Sequence, residues 1–234
     1  MFFEKWFKKE IKKDDKKEEV TEKQELPKEK NTPKIVITIG REMGSGGRKV
    51  GRILAEKLDI PFYDKQVITD AAKENGIDED LFKQVDEANL DSFWYEFSTD
   101  AYQKDESEKS FVEMTAADKL FMIQSDTIRR IAEKHSAVIV GRCSTYILKN
   151  NSIKVFITAD EKDRIARIMR FYKVDEEQAK KIMKISDKKR ENYHSYYTNQ
   201  NWKEKNNYDL YLNTTELGIE GAVNKIIKFV NKTK

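Results

Sequence analysis

The stretch ITIGREMGSGGRKVGRILAEKL, residues 37–58, limits what this chain can fold into more than any other part of it. A β-branched run ends in a loop that holds Gly40, Gly44, Gly46 and Gly47, and helical spacing at Val50, Ile53, Leu54 and Leu58 begins at once. Lacking Cβ atoms, Gly44, Gly46 and Gly47 let backbone N–H groups converge on an anion. A helix starting at that point adds unpaired N–H groups and the positive end of its dipole. Arg41, Arg48 and Lys49 set cations around the cradle. A strand that delivers such a turn directly into a helix is the pattern of a phosphate-binding loop.

The rest of the chain repeats the strand–helix alternation. KIVITIG (34–40), AVIVG (137–141) and IKVFIT (153–158) are continuous apolar runs, as expected of strands buried on both faces of a parallel sheet. IPFYD (60–64) reads as a short strand before a helix, KQVITDAAKENG, that Gly76 closes, and YDLYLNT (208–214) reads as the last strand. Asp160 stands where it can cap the helix EKDRIARIMRFY, and ELGIEGAVNKIIKFVNK forms the closing helix. The expected fold is therefore α/β: a five-stranded parallel sheet between two helical layers. Residues 78–134, helical and rich in aromatics and acids, read as an insertion carrying substrate contacts or an oligomer surface.

Composition excludes several classes. Charged residues make up 37% of the 234, yet the net charge is only +3, which gives no basis for a nucleic-acid partner. A single cysteine, Cys143, rules out an internal disulfide framework and favours a reducing compartment. With only His135 and His194 beside it, no metal-ligand or Ser–His–acid spacing emerges. No apolar run approaches the ~20 residues a membrane span needs, and no secretion signal is visible, so a cytoplasmic protein is expected. Residues 8–33 alternate Lys with Asp and Glu and offer almost nothing apolar to bury beyond Ile11, Val20 and Leu26, so residues 1–33 are expected to form a disordered or loosely helical tail. Ahead of that charged run, Phe2, Phe3, Trp6 and Phe7 can share one helical face, so residues 1–11 offer a weak membrane or protein contact.

Beyond residue 34 an ordered series of segments resembles one family. IVITIGREMGSGGRKVGRILAEKLDIPFYDKQVI resembles the opening of the cytidylate kinase-like family, relatives of the P-loop nucleoside monophosphate kinases. AVIVGRCSTYIL resembles its V-I-V-G-R segment, and IKVFITADEKDRIARIMR the strand and arginine-bearing helix before its lid. DKKRENYHSYYTNQNW and YDLYLNTTELGIEGAV resemble the lid and the last strand–helix unit. The resemblance implies a P-loop NTPase-like fold over residues 34–234, with a helical insert at about 78–134 and a lid at about 172–205.

It also implies roles. Gly44, Ser45, Gly46 and Gly47 would wrap the phosphates of ATP, with Arg41 and Lys49 beside them. Mg²⁺ would accompany the ATP, Ser45 being one hydroxyl near the metal. Arg142 would face the acceptor monophosphate, its planar fork suited to two phosphate oxygens. Asp187 and Arg190, three apart on one helical face that Tyr193 and Tyr197 continue, would touch donor phosphates and acceptor. Arg164 and Arg167, in preference to Arg170, would add acceptor contacts. Asp64 either orients the acceptor's sugar or base, or caps the helix after it.

The match has departures. On the G-S-G-K-G-T pattern of related kinases, the lysine falls on Gly47, the threonine on Lys49 and the opening glycine of the motif on Arg41. Arg48, Lys49 or Arg41 is then needed to reach the oxygens a lysine would contact. In the lid, Met183 stands where an arginine is expected, beside Lys184. The function implied is phosphoryl transfer from ATP to a nucleoside monophosphate, CMP or dCMP. The competing readings are a kinase of another small acceptor and a non-catalytic nucleotide sensor or scaffold.

Overall fold

The computed structural model describes residues 34–64, Ile68 and residues 115–233. The expected tail with its apolar face at residues 1–11, the helix expected over 65–76 apart from Ile68, and the insert up to residue 114 lie outside the described residues. The elements are β1 (Val36–Arg41), α1 (Gly47–Leu58), β2 (Phe62–Tyr63), α2 (Ala116–Lys134), β3 (Ala137–Val140), α3 (Ser144–Ile147), β4 (Ile153–Thr158), α4 (Glu161–Tyr172), α5 (Glu176–Thr198), β5 (Leu210–Asn213) and α6 (Thr214–Thr233). The five strands form one parallel sheet in the order β2-β3-β1-β4-β5.

Alternation along each strand sorts side chains onto two faces. Ile37, Ile39, Val138, Val140, Val155 and Ile157 meet Val50, Leu54 and Ala55 of α1 and Ala222, Val223 and Ile226 of α6. On the other face, Val36, Ala137 and Ile139 meet Ile68, and Ile128 and Ile131 of α2. Phe156, on that second face of β4, packs under Trp202, Tyr208 and Tyr211. Gly40 is required beneath it, since a Cβ there would stand 2.9 Å from the Phe156 ring.

Three boundaries differ from expectation. β2 is only Phe62–Tyr63: Pro61 has no N–H for a ladder, though its carbonyl still accepts from Val138 N at 2.9 Å. The closing helix is broken at Gly218 (φ 66°, ψ 174°), so a short turn from Thr214 precedes the longer run that packs on the sheet. The one-turn helix α3 has no periodicity of its own and follows from the backbone turn before it. Among the described residues no helix is long and apolar enough to cross a membrane.

Helix α1 lies unusually close to the sheet at Gly51. A Cβ there would meet Val140 Cγ2 at 2.9 Å, Phe62 Cε2 at 3.1 Å and Ile39 Cδ1 at 3.2 Å. Helix propensity favours alanine over glycine by about 1 kcal/mol, but forcing a methyl into a closed core costs about 1–3 kcal/mol. Val140 and Ile39 are fully buried and cannot step aside. Gly51→Ala is therefore expected to be net destabilising by about 1 kcal/mol in urea denaturation, and a more stable variant would contradict the close packing.

Candidate functional site

In an open parallel sheet, ligands gather where the strands end and the connections diverge to opposite sides. From central β1 the chain leaves past β3 to β2, and later returns to β4 on the other side. Four strand ends deliver Arg41 and Glu42, Arg142, Thr158 and Thr214 to that edge.

The loop after β1 is a closed small structure. Ser45 N and Ser45 Oγ both donate to the carbonyl of Glu42, at 3.3 and 2.8 Å, and Gly47 N donates to Ser45 Oγ at 3.4 Å. Ser45 is fully buried, so its hydroxyl serves the loop and is not presented to a metal. Gly46, at φ 79°, is the left-handed cap of α1; the side chain of another residue there would strike Ile219. Among the described residues, the N–H groups of Gly44 and Gly46 donate to no protein acceptor. They are the open donors of the cradle, at the N-terminal end of α1.

The arginines around it fall into two groups. Arg48 reaches back from α1 to Asp64 at the end of β2, with Nε and Nη2 at 2.9 and 2.5 Å from Oδ2. Arg164 is buried and forks three ways: Nε donates to the Met43 carbonyl at 2.7 Å, Nη1 lies 3.3 Å from Glu42, and Nη2 binds Asp187. Arg167 donates to the Gly44 carbonyl at 3.2 Å and to Thr214 Oγ1 at 2.9 Å, and Thr214 donates to the Ser45 carbonyl at 2.7 Å. Arg164 and Arg167, expected to contact the acceptor, hold the carbonyl side of the loop, because α4 begins directly against it. Lys49 is exposed on α1.

Arg41 belongs to the second group. Its guanidinium lies against the backbone of Gly141, where a Cβ would collide with Nη1. Among the described residues it has no hydrogen-bond or ion-pair partner. Burial, then Arg190 and Arg142, bring its pKa down to about 9, against weaker opposite pulls from Asp64 and Asp187. It is still protonated at neutral pH, so a largely desolvated charge faces two others of the same sign.

Arg142 sits in a run of three left-handed residues, Gly141 (φ 83°), Arg142 (φ 55°) and Cys143 (φ 53°). The two non-glycine members each cost about 1–2 kcal/mol, and such strain gathers at functional sites. The run turns Arg142 over the Tyr193 ring of α5, its Cζ 5.5 Å from the centroid. Burial raises the Tyr193 hydroxyl's pKa and pushes the Cys143 thiol up to about 12, so both are neutral. Arg190 donates to Asp187 at 3.2 Å and approaches Met43 Sδ at 3.6 Å; burial lowers its pKa against the pull of Asp187. Asp187 in turn accepts the Met43 backbone N–H at 2.7 Å.

Glu42 is a buried acid at this edge that sequence reasoning did not single out. Burial pushes its carboxyl up, but hydrogen bonds from Lys203 (2.5 Å) and Thr158 and the charge of Arg164 outweigh it, leaving the pKa below 4.5. A signal was available: an acid inside a loop built for anions must point away from them and find cations elsewhere. Among the described residues no group of three His, Cys, Asp or Glu can hold a metal. Glu42, Asp64 and Asp187 are each engaged by arginine or lysine.

A parallel sheet of this order, with a glycine-rich loop carrying its central strand into a helix, defines the P-loop class of nucleotide-handling proteins. The chain belongs to the cytidylate kinase-like family, whose family model matches residues 36–216. It is similar to a cytidylate kinase of Archaeoglobus fulgidus, 28% identical over 203 residues that cover 85% of this chain and 96% of the relative. A cytidylate kinase of Fusobacterium nucleatum is 23% identical over 220 residues, covering 86% of this chain and 99% of the relative. Among solved structures, an uncharacterised protein from Eubacterium ventriosum is 30% identical with a TM-score of 0.64, covering 85% of this chain and 99% of that one. Family membership supports nucleotide kinase activity.

Arg41 is half-buried and lacks an ion-pair partner among the described residues, so an apolar side chain of similar volume there removes a desolvation cost. Arg41→Met is therefore expected to leave the ligand-free protein as stable as the parent or about 1 kcal/mol more stable, while abolishing the rise in melting temperature that inorganic triphosphate gives the parent. A lower ligand-free midpoint would show that Arg41 serves the fold instead of an anion.

Proposed function

We propose that the protein is a kinase that moves the γ-phosphoryl group of MgATP onto CMP or dCMP. One observation carries the reading: the open N–H groups of the loop lie on the edge that also holds Arg41, a guanidinium with no ion-pair partner among the described residues, and Arg142 and Arg190 beside it. Only a polyanion complements that arrangement, and the two cytidylate kinase relatives suggest the acceptor.

Gly44, Gly46 and Gly47 with the start of α1 hold the donor's β and γ phosphates, and Arg41 replaces the missing lysine. Of the three substitutes open from sequence, Arg48 is pinned to Asp64 and Lys49 faces solvent, so Arg41 is the best supported. Magnesium would arrive as part of the MgATP substrate and would supply charge neutralisation at its phosphates, since no carboxylate cluster among the described residues would hold it. Arg142 holds the acceptor phosphate, and the Arg48–Asp64 pair borders the acceptor's side of the crevice. Arg190 faces the phosphoryl group in flight, and the segment of about 172–205 closes over it as a lid. An acceptor phosphate oxygen attacks the γ phosphorus, its P–O bond forms as the bond to the β,γ-bridging oxygen breaks, and the electron pair leaves on ADP. The attacking oxygen is already anionic, so no general base is required; positioning and charge neutralisation do the catalysis.

The test is ADP release from ATP and Mg²⁺ with CMP, dCMP, UMP, AMP or no acceptor. CMP or dCMP is expected to be fastest by at least tenfold, and Arg142→Gln to raise the acceptor KM about 10–100-fold, the scale of one lost charge-assisted hydrogen-bond pair, with ATP KM little changed. ATP binding without acceptor-stimulated turnover would replace the kinase by a nucleotide sensor. Turnover with a non-nucleotide acceptor alone would replace CMP.

A further inference from the structure

Four groups form a closed circuit behind the loop. Glu42 pairs with Arg164, Arg164 with Asp187, Asp187 with the backbone N–H of Met43, and Met43 is peptide-bonded to Glu42. Arg164 also holds the Met43 carbonyl, so both polar groups at Met43 are fixed by the circuit. The circuit joins three elements distant in sequence: the loop, the first turn of α4 and the middle of α5.

Arg190 hangs from this circuit. It contacts Asp187, one turn before it on α5, and the Met43 sulfur. Where the Arg190 guanidinium stands over the loop is therefore set by Asp187. Asp187 is set by Arg164, and Arg164 is held on its other side by Glu42. Glu42 is 7% exposed and occupied by Lys203, Thr158 and Arg164, so it touches no ligand itself. Two carboxylates, Glu42 and Asp187, balance three cations, Arg164, Arg190 and Lys203. Removing the Glu42 charge leaves Arg164 to compete for Asp187 alone and draws that carboxylate away from Arg190 and the Met43 amide.

We propose that Glu42 is a positioning residue for phosphoryl transfer, acting through Arg164 and Asp187 to fix Arg190 over the loop. This rests on the kinase reading, and Glu42 is distinct from every residue assigned there. Since it acts on a group engaged with the transferring phosphoryl, its removal should lower kcat more than it raises KM.

The test uses the full chain. Glu42→Gln, which keeps the volume and the acceptor oxygen, is expected to lower kcat about 10–30-fold with ATP KM changed less than threefold. In an Asp187→Asn background the same change should add less than threefold, because both act through one circuit. Lys203→Met breaks the opposite side of the same buried carboxylate, so it controls for a purely structural role; it should lower the melting temperature yet leave kcat within threefold. Arg164→Lys, which keeps the charge and loses the fork, should repeat the kcat loss and serves if the glutamine variant does not fold. A kcat unchanged in Glu42→Gln, or lowered equally by Lys203→Met in step with stability, overturns the proposal. Should the parent turn over no acceptor, the kinase reading fails separately. The circuit is then read by amide exchange at Met43 without substrate: at least tenfold faster in Glu42→Gln and unchanged in Lys203→Met supports it, and equal protection in all three proteins overturns it.

Discussion

Like charges crowded at one end of a sheet repel one another in a medium that screens them poorly, and the whole functional edge of this protein is arranged around that repulsion. Arg41, Arg48, Arg142, Arg164, Arg167 and Arg190 come together there from a strand end, a loop and three helices. The fold tolerates them by treating them unequally. Arg48 has Asp64, Arg164 has Glu42 and Asp187, and Arg167 has two oxygens on the loop and at the start of α6. These pairs neutralise charge and in doing so tie the loop to its surroundings. Arg41 receives no such partner among the described residues. A half-buried charge left so carries a desolvation cost that no carboxylate offsets at close range.

The backbone carries a second cost at the same place. Three successive left-handed residues after β3 seat Arg41 against Gly141 and turn Arg142 toward α5. Only the glycine adopts that conformation freely, and its hydrogen is also what leaves room for the Arg41 guanidinium. One residue thus serves the turn and the approach at once. Strain and electrostatic repulsion converge on two neighbouring strand ends, β1 and β3, which is where the sheet opens its crevice.

What could be read from the sequence follows from how local each signal is. The strands were legible because buried parallel strands are unbroken β-branched runs, and their faces follow from alternation. The glycine loop was legible because its chemistry lies within a few consecutive residues, and Asp187 with Arg190 because three residues make one helical turn. The limit of β2 and the break at Gly218 depended on single residues whose weight shows only in the folded backbone. Arg164 and Arg167 were legible as a basic stripe but not in their partners. Arg164 meets Met43 from 121 residues away, and Asp187 meets it from 144, distances at which one chain alone carries no pairing signal. The division between arginines that hold the loop and Arg41, which has no ion-pair partner among the described residues, belongs to the tertiary structure.

That division bears on how a P-loop works without its lysine. A lysine on the first turn of the helix is a flexible ammonium that follows the phosphates. Here the helix offers Gly47, packed so that a Cβ would stand 2.5 Å from Arg41 Cβ, so the position is closed to any side chain. On the proposed reading the cation would come instead from Arg41, the last residue of the central strand, which lies against the backbone of Gly141. A planar group so fixed can meet two oxygens in a set geometry but cannot travel with a leaving phosphate. Helix α5 meets the loop from across the crevice through Asp187 and Arg190. On the proposed kinase reading, a strand-borne guanidinium and a docked helix would divide between them what one mobile lysine does in related kinases, which would make the contacts that hold α5 to the loop part of the site as well as of the fold.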